Sequence, residues 1–228
     1  MNANLLTRLH PESPAGRWIS GAEFFIGAAI VIGHNVFKVL PNEVLILAAL
    51  GLISARIRDG RWSAIGFRLP ESWRTILLIA LAAAALRIVL GDFVIEPMTS
   101  GFWPEPALPS GADEIKGNLP TAAFWFVIVW TFAAFGEEIG YRGYLVRRFA
   151  DLAGGSRLAW WLGVIAVAIL FGYGHFYKGP AGILDSGVAG LILGAAFLLS
   201  KRNLWTCVLA HGFIDTYGII LLYFGWDS

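Results

Sequence analysis

The chain has 228 residues, 57% of them hydrophobic and only 14% charged, with a formal net charge of +1 and a mean hydropathy of +0.66. A soluble domain of this size carries about 25% charged residues. The composition therefore excludes an ordinary soluble protein, and the charge balance offers no basic patch for a nucleic-acid partner. Cys207 is the only cysteine, which excludes an intrachain disulfide and a cysteine-built zinc site.

These features predict an all-α, polytopic transmembrane bundle forming one membrane-embedded domain over residues 1–228, in contact with membrane lipids. Pro11 and Pro14 lie in a polar stretch unlike a cleaved signal peptide, so the first apolar span is expected to stay in the mature protein. Seven apolar spans are read at about 20–38, 42–57, 73–91, 121–147, 158–177, 183–200 and 203–225. The second is short and is expected to tilt or to pair with the first around Pro41. The linker from Arg58 to Pro70 is basic and aromatic, suited to the membrane surface. The loop at about 92–120 holds Pro97, Pro104, Pro106, Pro109 and Pro120, so irregular structure is expected there.

Basic residues set the expected orientation. One set of loops holds twelve: Arg8, Arg17, Arg56, Arg58, Arg61, Arg68, Arg74, Arg147, Arg148, Arg157, Lys201 and Arg202. The other set holds Lys38, Lys116 and Lys178. A cytoplasmic N-terminus and an external C-terminus follow. Tryptophans 18, 62, 73, 160, 161 and 205 fall at the inner boundaries and Trp125 and Trp226 at the outer ones, as an aromatic belt requires. Gly187, Gly190 and Gly194 give the sixth span a small-residue face for close helix packing within the chain. No inverted internal repeat is visible.

Within the fourth span stand Glu137, Glu138 and Arg142. Three ionisable side chains facing lipid would cost about 8–10 kcal/mol, at roughly 2.5–3.5 kcal/mol each. They are expected to face a polar interior instead. Glu138 and Arg142 have i,i+4 spacing and should pair, which leaves Glu137 without a local partner. A lone buried carboxylate suits a general base. His175 follows Gly172 and Gly174, which are expected to loosen the fifth span and turn the imidazole inward. His211 and Asp215 share one face of the seventh span, as a carboxylate-oriented histidine or as two metal ligands. A cavity common to Glu137, His175, His211 and Asp215 shelters all four most simply. Carboxylate and imidazoles together suit activation of water and stabilisation of an oxyanion.

Glu137-Glu138-Ile-Gly-Tyr-Arg142, Phe171-Gly-Tyr-Gly-His175 and His211-Gly-Phe-Ile-Asp215 resemble the EExxxR, FxxxH and HxxxN/D motifs of the CPBP family. These are the CAAX-processing and bacteriocin-processing (Abi) proteases. The resemblance covers about 120–224, and the first half of the chain matches only in hydrophobic character. It implies an intramembrane endopeptidase of a bacterial-type cell membrane, acting on a peptide or protein substrate. Glu137 would activate water with help from His175. His211 and Asp215 would bind or polarise the substrate carbonyl, and Glu138 with Arg142 would orient the site. Asp215 stands where the eukaryotic prenyl-protein proteases have asparagine, so it would be protonated, orient His211 or ligate a metal. No metal is required on the favoured reading. A divalent ion such as zinc, held by Glu137, His175, His211 and Asp215, is the second option.

The competing class is a non-enzymatic proton-coupled transporter, or a membrane adaptor or immunity protein, using the same acid–histidine cluster for binding. One expectation is in tension with convergence. At about 1.5 Å per residue, His211 lies roughly 10 Å from the inner boundary and His175 roughly 22–27 Å. Arg87 is expected to snorkel to the outer interface. His34, Asn35 and Lys38 are expected to cluster near the outer end of the first span. Cys207, four residues before His211, formally allows a thiol–imidazole dyad but reads as packing.

Overall fold

The structure is a computed structural model, and it describes residue 10 and residues 13–104 and 111–226. Arg8, Pro11, Glu105, Pro106 and Pro109 lie outside the described residues. All the regular elements among the described residues are helical. We number the seven main helices α1 (Pro14–Asn35), α2 (Glu43–Arg58), α3 (Trp73–Thr99), α4 (Leu119–Leu152), α5 (Arg157–Gly174), α6 (Gly179–Leu199) and α7 (Leu204–Phe224). Six are long and apolar enough to cross a membrane. The exception is α2, whose 16 residues span about 24 Å, less than the roughly 30 Å of a hydrocarbon core.

Side-chain caps set several helix starts. Ser72, Asn118, Ser156 and Asn203 each accept a backbone N–H of the first turn of α3, α4, α5 and α7, satisfying donors the helix leaves open. Apolar side chains such as Phe25, Leu78, Phe124, Val127 and Ile169 point outward, where lipid rather than water would meet them.

Four expectations are corrected. Residues 92–99 are helical, because a π turn at Gly91–Ile95 carries α3 into a final α turn. Pro97 opens that final turn, directly after the π segment. The fourth span runs on to Leu152 and is largely π-helical, over Val129–Glu137 and Ile139–Val146. The fifth helix is not broken at Gly172. It ends at Gly174, and α6 begins at Gly179 with Pro180 in its first turn. Arg87 does not snorkel: Nη2 pairs with Asp185 Oδ2 of α6 at 2.5 Å, with both side chains largely sheltered.

The Arg58–Pro70 linker is packed, not merely laid on a surface. Its 3-10 turn Trp62–Ile65 buries Ile65, and the Gly66 carbonyl accepts Leu204 N–H at 3.0 Å, pinning the start of α7. The basic loops share this end of the bundle, where an ionic knot ties α1, α2 and α4. Arg148 reaches Glu23, Asp59 and Asp151 at 2.8–2.9 Å, and Arg58 pairs with Glu23. At the other end, Tyr217 donates to Asp92 at 2.8 Å and Gly117 N–H bonds the Tyr223 carbonyl.

The small-residue face of α6 packs inside the chain, as expected. A Cβ on Gly190 would stand 3.1 Å from Ala168 Cα and 3.2 Å from Phe171 Cβ. A Cβ there would press on both neighbours, so the glycine suits the close approach of α5 and α6 that carries Phe171 toward α4.

Candidate active site

Four helices contribute to one polar cluster. The π-helical course of α4, a geometry often found at functional sites, turns Glu138 and Arg142 inward, where they are 0% and 1% exposed. Arg142 Nη1 donates to Glu138 Oε1 at 2.7 Å, the pair expected from their spacing. Arg142 Nη2 donates to the Gly190 carbonyl at 3.2 Å, which becomes reachable because α6 carries no side chain there.

Glu138 Oε1 also accepts from His211 Nδ1 at 2.7 Å. A carboxylate oxygen only accepts, so Nδ1 carries the proton and Nε2 faces onward. Nε2 lies 3.6 Å from Asp215 Oδ2, the i,i+4 neighbour on α7. The imidazole is thus held between two carboxylates from different helices, and the link to Glu138 was not legible in spacing.

His175 sits just beyond α5 as its C-cap, with φ −108 and ψ 29. Its Nδ1 lies 2.9 Å from the Phe171 carbonyl. A carbonyl only accepts, so this nitrogen also donates and Nε2 keeps a lone pair. This bond folds the ring back toward the preceding turn of the helix. Phe171 makes the connection: its ring centroid is 4.8 Å from that of His175 and 6.0 Å from that of His211. The Arg142 guanidinium carbon lies 4.3 Å from the same centroid, a cation–π contact. One aromatic ring therefore touches a member of each of the three motifs.

Glu137 is less tied. Its Oε2 is buried without a hydrogen-bond partner, as is Glu138 Oε2, although buried polar atoms are rarely left so. The charges acting on Glu137 are those of His211, Asp215, Glu138 and Glu43. Among the described residues, no hydrogen bond or ion pair joins Glu137 to His175.

The four candidate metal ligands do not close on one point. Among the described residues, no three His, Cys, Asp or Glu side chains are arranged to hold an ion. His211 Nδ1 bonds Glu138 and His175 Nδ1 bonds the Phe171 carbonyl, an arrangement that leaves each Nε2 free to ligate. It is the lack of convergence and not the protonation pattern that keeps these side chains from forming a metal site as placed. Nor is there a thiol–imidazole dyad, since Cys207 Sγ approaches the Leu193 carbonyl at 3.3 Å.

Sequence reasoning missed Glu43. It is buried at the start of α2, 3.2 Å from His34 Nε2, and acts electrostatically on both Glu137 and Tyr141. A glutamate opening a helix reads as a favourable match to the helix dipole, which hid its inward course. The partners of His34 are Glu43 and the Leu40 carbonyl, 2.9 Å from its Nδ1, rather than the expected neighbours Asn35 and Lys38.

Residues 119–217 match the Rce1-like family, described as Type II CAAX prenyl endopeptidase Rce1-like. The matched segment contains all three motifs and agrees with the CPBP resemblance read from them. No curated protein and no solved structure gave a match to the chain. The family is one of CAAX intramembrane proteases, and the six apolar helices suit an integral membrane protein.

Proposed function

We propose that this chain is an intramembrane endopeptidase in which Glu137 activates water. The observation that carries the reading is the buried, unpartnered Glu137 Oε2 beside the charges of His211 and Asp215. A carboxylate oxygen with no protein partner is one that can hold a water proton.

In the proposed reaction, water oxygen adds to the substrate carbonyl carbon as its proton passes to Glu137. His175, with Nε2 unprotonated, shares the task of holding that water. The carbonyl π electrons move to oxygen, where His211 Nε2 meets the developing charge in its protonated form. Collapse re-forms the carbonyl and breaks the C–N bond, and the proton on Glu137 passes to the departing amine. Glu138 and Arg142 hold His211 and Phe171 in register throughout. Asp215 limits the rotation of His211. No step of this proposal is routed through a metal.

The proposed orientation has the N-terminus cytoplasmic, on the count of twelve basic residues against three in the two sets of loops. The site is proposed to serve a peptide or protein substrate.

The test is cleavage of a peptide library by the detergent-purified protein, with and without a chelator. Glu137→Gln should lower turnover by about 10²–10⁴-fold with unchanged folding, and chelator should have no effect. Full cleavage by a folded Glu137→Ala protein removes the base. Loss of cleavage on chelation would bring the metal option forward. Proton-linked transport with no cleavage would favour the non-enzymatic class.

A further inference from the structure

At the basic end of the bundle, away from the acid–histidine cluster, a pocket of about 190 Å³ lies between the start of α5 and the end of α6. It is lined by Arg157, Trp160, Trp161, Leu198, Leu199 and Arg202. Arg202 lies with its guanidinium carbon 4.5 Å from the Trp160 ring centroid. Among the described residues, neither Arg157 nor Arg202 makes an ion pair, and Asp151 acts on Arg202 only at longer range. That contrasts with Arg58, Arg147 and Arg148 of the same end, which are paired with Glu23, Asp59 and Asp151.

The unbalanced charge has a physical signature. Arg202 is pushed below its ordinary pKa, first by partial burial and then by the neighbouring cations Arg147 and Arg68, with Asp151 offsetting them only in part. An anion placed between Arg157 and Arg202 would relieve that repulsion. The first turn of α5, capped by Ser156, adds open N–H groups at the same edge, and a helix N-terminus favours negative charge.

Hydrophobic surface around the pocket selects the kind of anion. Leu199, on its rim, is 69% exposed, and Leu158 and Leu162 on α5 are 67% and 44% exposed. Apolar side chains facing outward on candidate membrane helices mark the zone where acyl chains lie. Two tryptophans at this level match the amphipathic belt at a membrane boundary. A ligand with a phosphate for the arginines and hydrocarbon for the leucines fits both halves of the surface.

The geometry points to a binding site for the headgroup phosphate of an anionic phospholipid, held by Arg157 and Arg202 against Trp160 and Trp161. Basic pockets at helix ends are known places for anionic headgroups, and each basic residue contributes roughly 5-fold in affinity.

Native mass spectrometry of the full chain, released from a neutral detergent, gives the lipid dissociation constant directly. Phosphatidylglycerol should bind about 5-fold more weakly to Arg157→Gln or Arg202→Gln and about 25-fold more weakly to the double variant. Phosphatidylcholine of the same chain length should be indifferent to all three. Equal phosphatidylglycerol affinity in the parent and the double variant overturns the site. So does equal preference for the two lipids in the parent chain. Displacement of the lipid by inorganic phosphate at equal concentration would assign the pocket to free phosphate and overturn the lipid assignment. Should the double variant fail to fold, Arg157→Gln decides alone, because Arg157 is exposed and holds no partner.

Discussion

Glu138 of α4 and His211 of α7, 73 positions apart in the chain, meet through an Oε1–Nδ1 contact of 2.7 Å. The same oxygen holds Arg142. One buried carboxylate thus fixes both an imidazole and a guanidinium, and through Arg142 it orders the Phe171 ring that His175 also touches.

Glu138→Ala should therefore damage the fold as well as the site. Removing one partner of a buried ion pair leaves the other uncompensated, at a cost of about 3–5 kcal/mol. Unfolding in mixed micelles should show that loss. Glu137→Gln should show none, because Glu137 holds no guanidinium. Equal stability of the two variants would mean that the Glu138–Arg142 pair is not maintained.

Gly190→Val tests the helix contact behind the site. The added side chain meets Ala168 Cα and Phe171 Cβ at 3.1–3.2 Å, so α5 and α6 must separate or Phe171 must move. Overpacking of this kind costs about 1–3 kcal/mol. Cleavage should fall with stability, and Gly190→Ala should be milder in both assays.

Arg148→Ala and Glu71→Ala separate a buried ionic knot from a surface pair. Arg148 is 1% exposed and bridges three acids, so its loss should destabilise the protein by about 3–5 kcal/mol. Glu71 meets Lys201 at 2.7 Å, but both side chains are exposed and water screens the pair. Its removal should leave the unfolding transition where it is. The comparison requires the same detergent and the same salt.

Arg87 and Asp185 tie α3 to α6. A double-mutant cycle with Arg87→Met and Asp185→Asn should return a coupling of about 0.5–3 kcal/mol in unfolding experiments. No coupling would restore the snorkelling arrangement expected from the position of Arg87 near the end of an apolar span.

Local rules made much of this molecule legible. Apolar runs of bilayer length located the helices, since each such segment must satisfy its own backbone hydrogen bonds. Spacing predicted the Glu138–Arg142 pair, because residues four apart share a helix face. Small residues on α6 announced close packing. Boundaries were less legible at Thr99, Leu152 and Gly174, where π turns, a tolerated proline and a C-cap override the pattern of hydropathy.

The one-dimensional order of residues determined a helical membrane protein with acids and imidazoles on separate apolar segments. Only the folded chain decided which of them touch. Glu138 rather than Asp215 makes the short contact to His211, Asp185 captures Arg87, and Glu43 meets His34. The physical reason is that helix periodicity defines the face a side chain takes on its own helix. The rotation, depth and winding that bring two faces together come from packing, here from glycine contacts between α5 and α6 and the π course of α4.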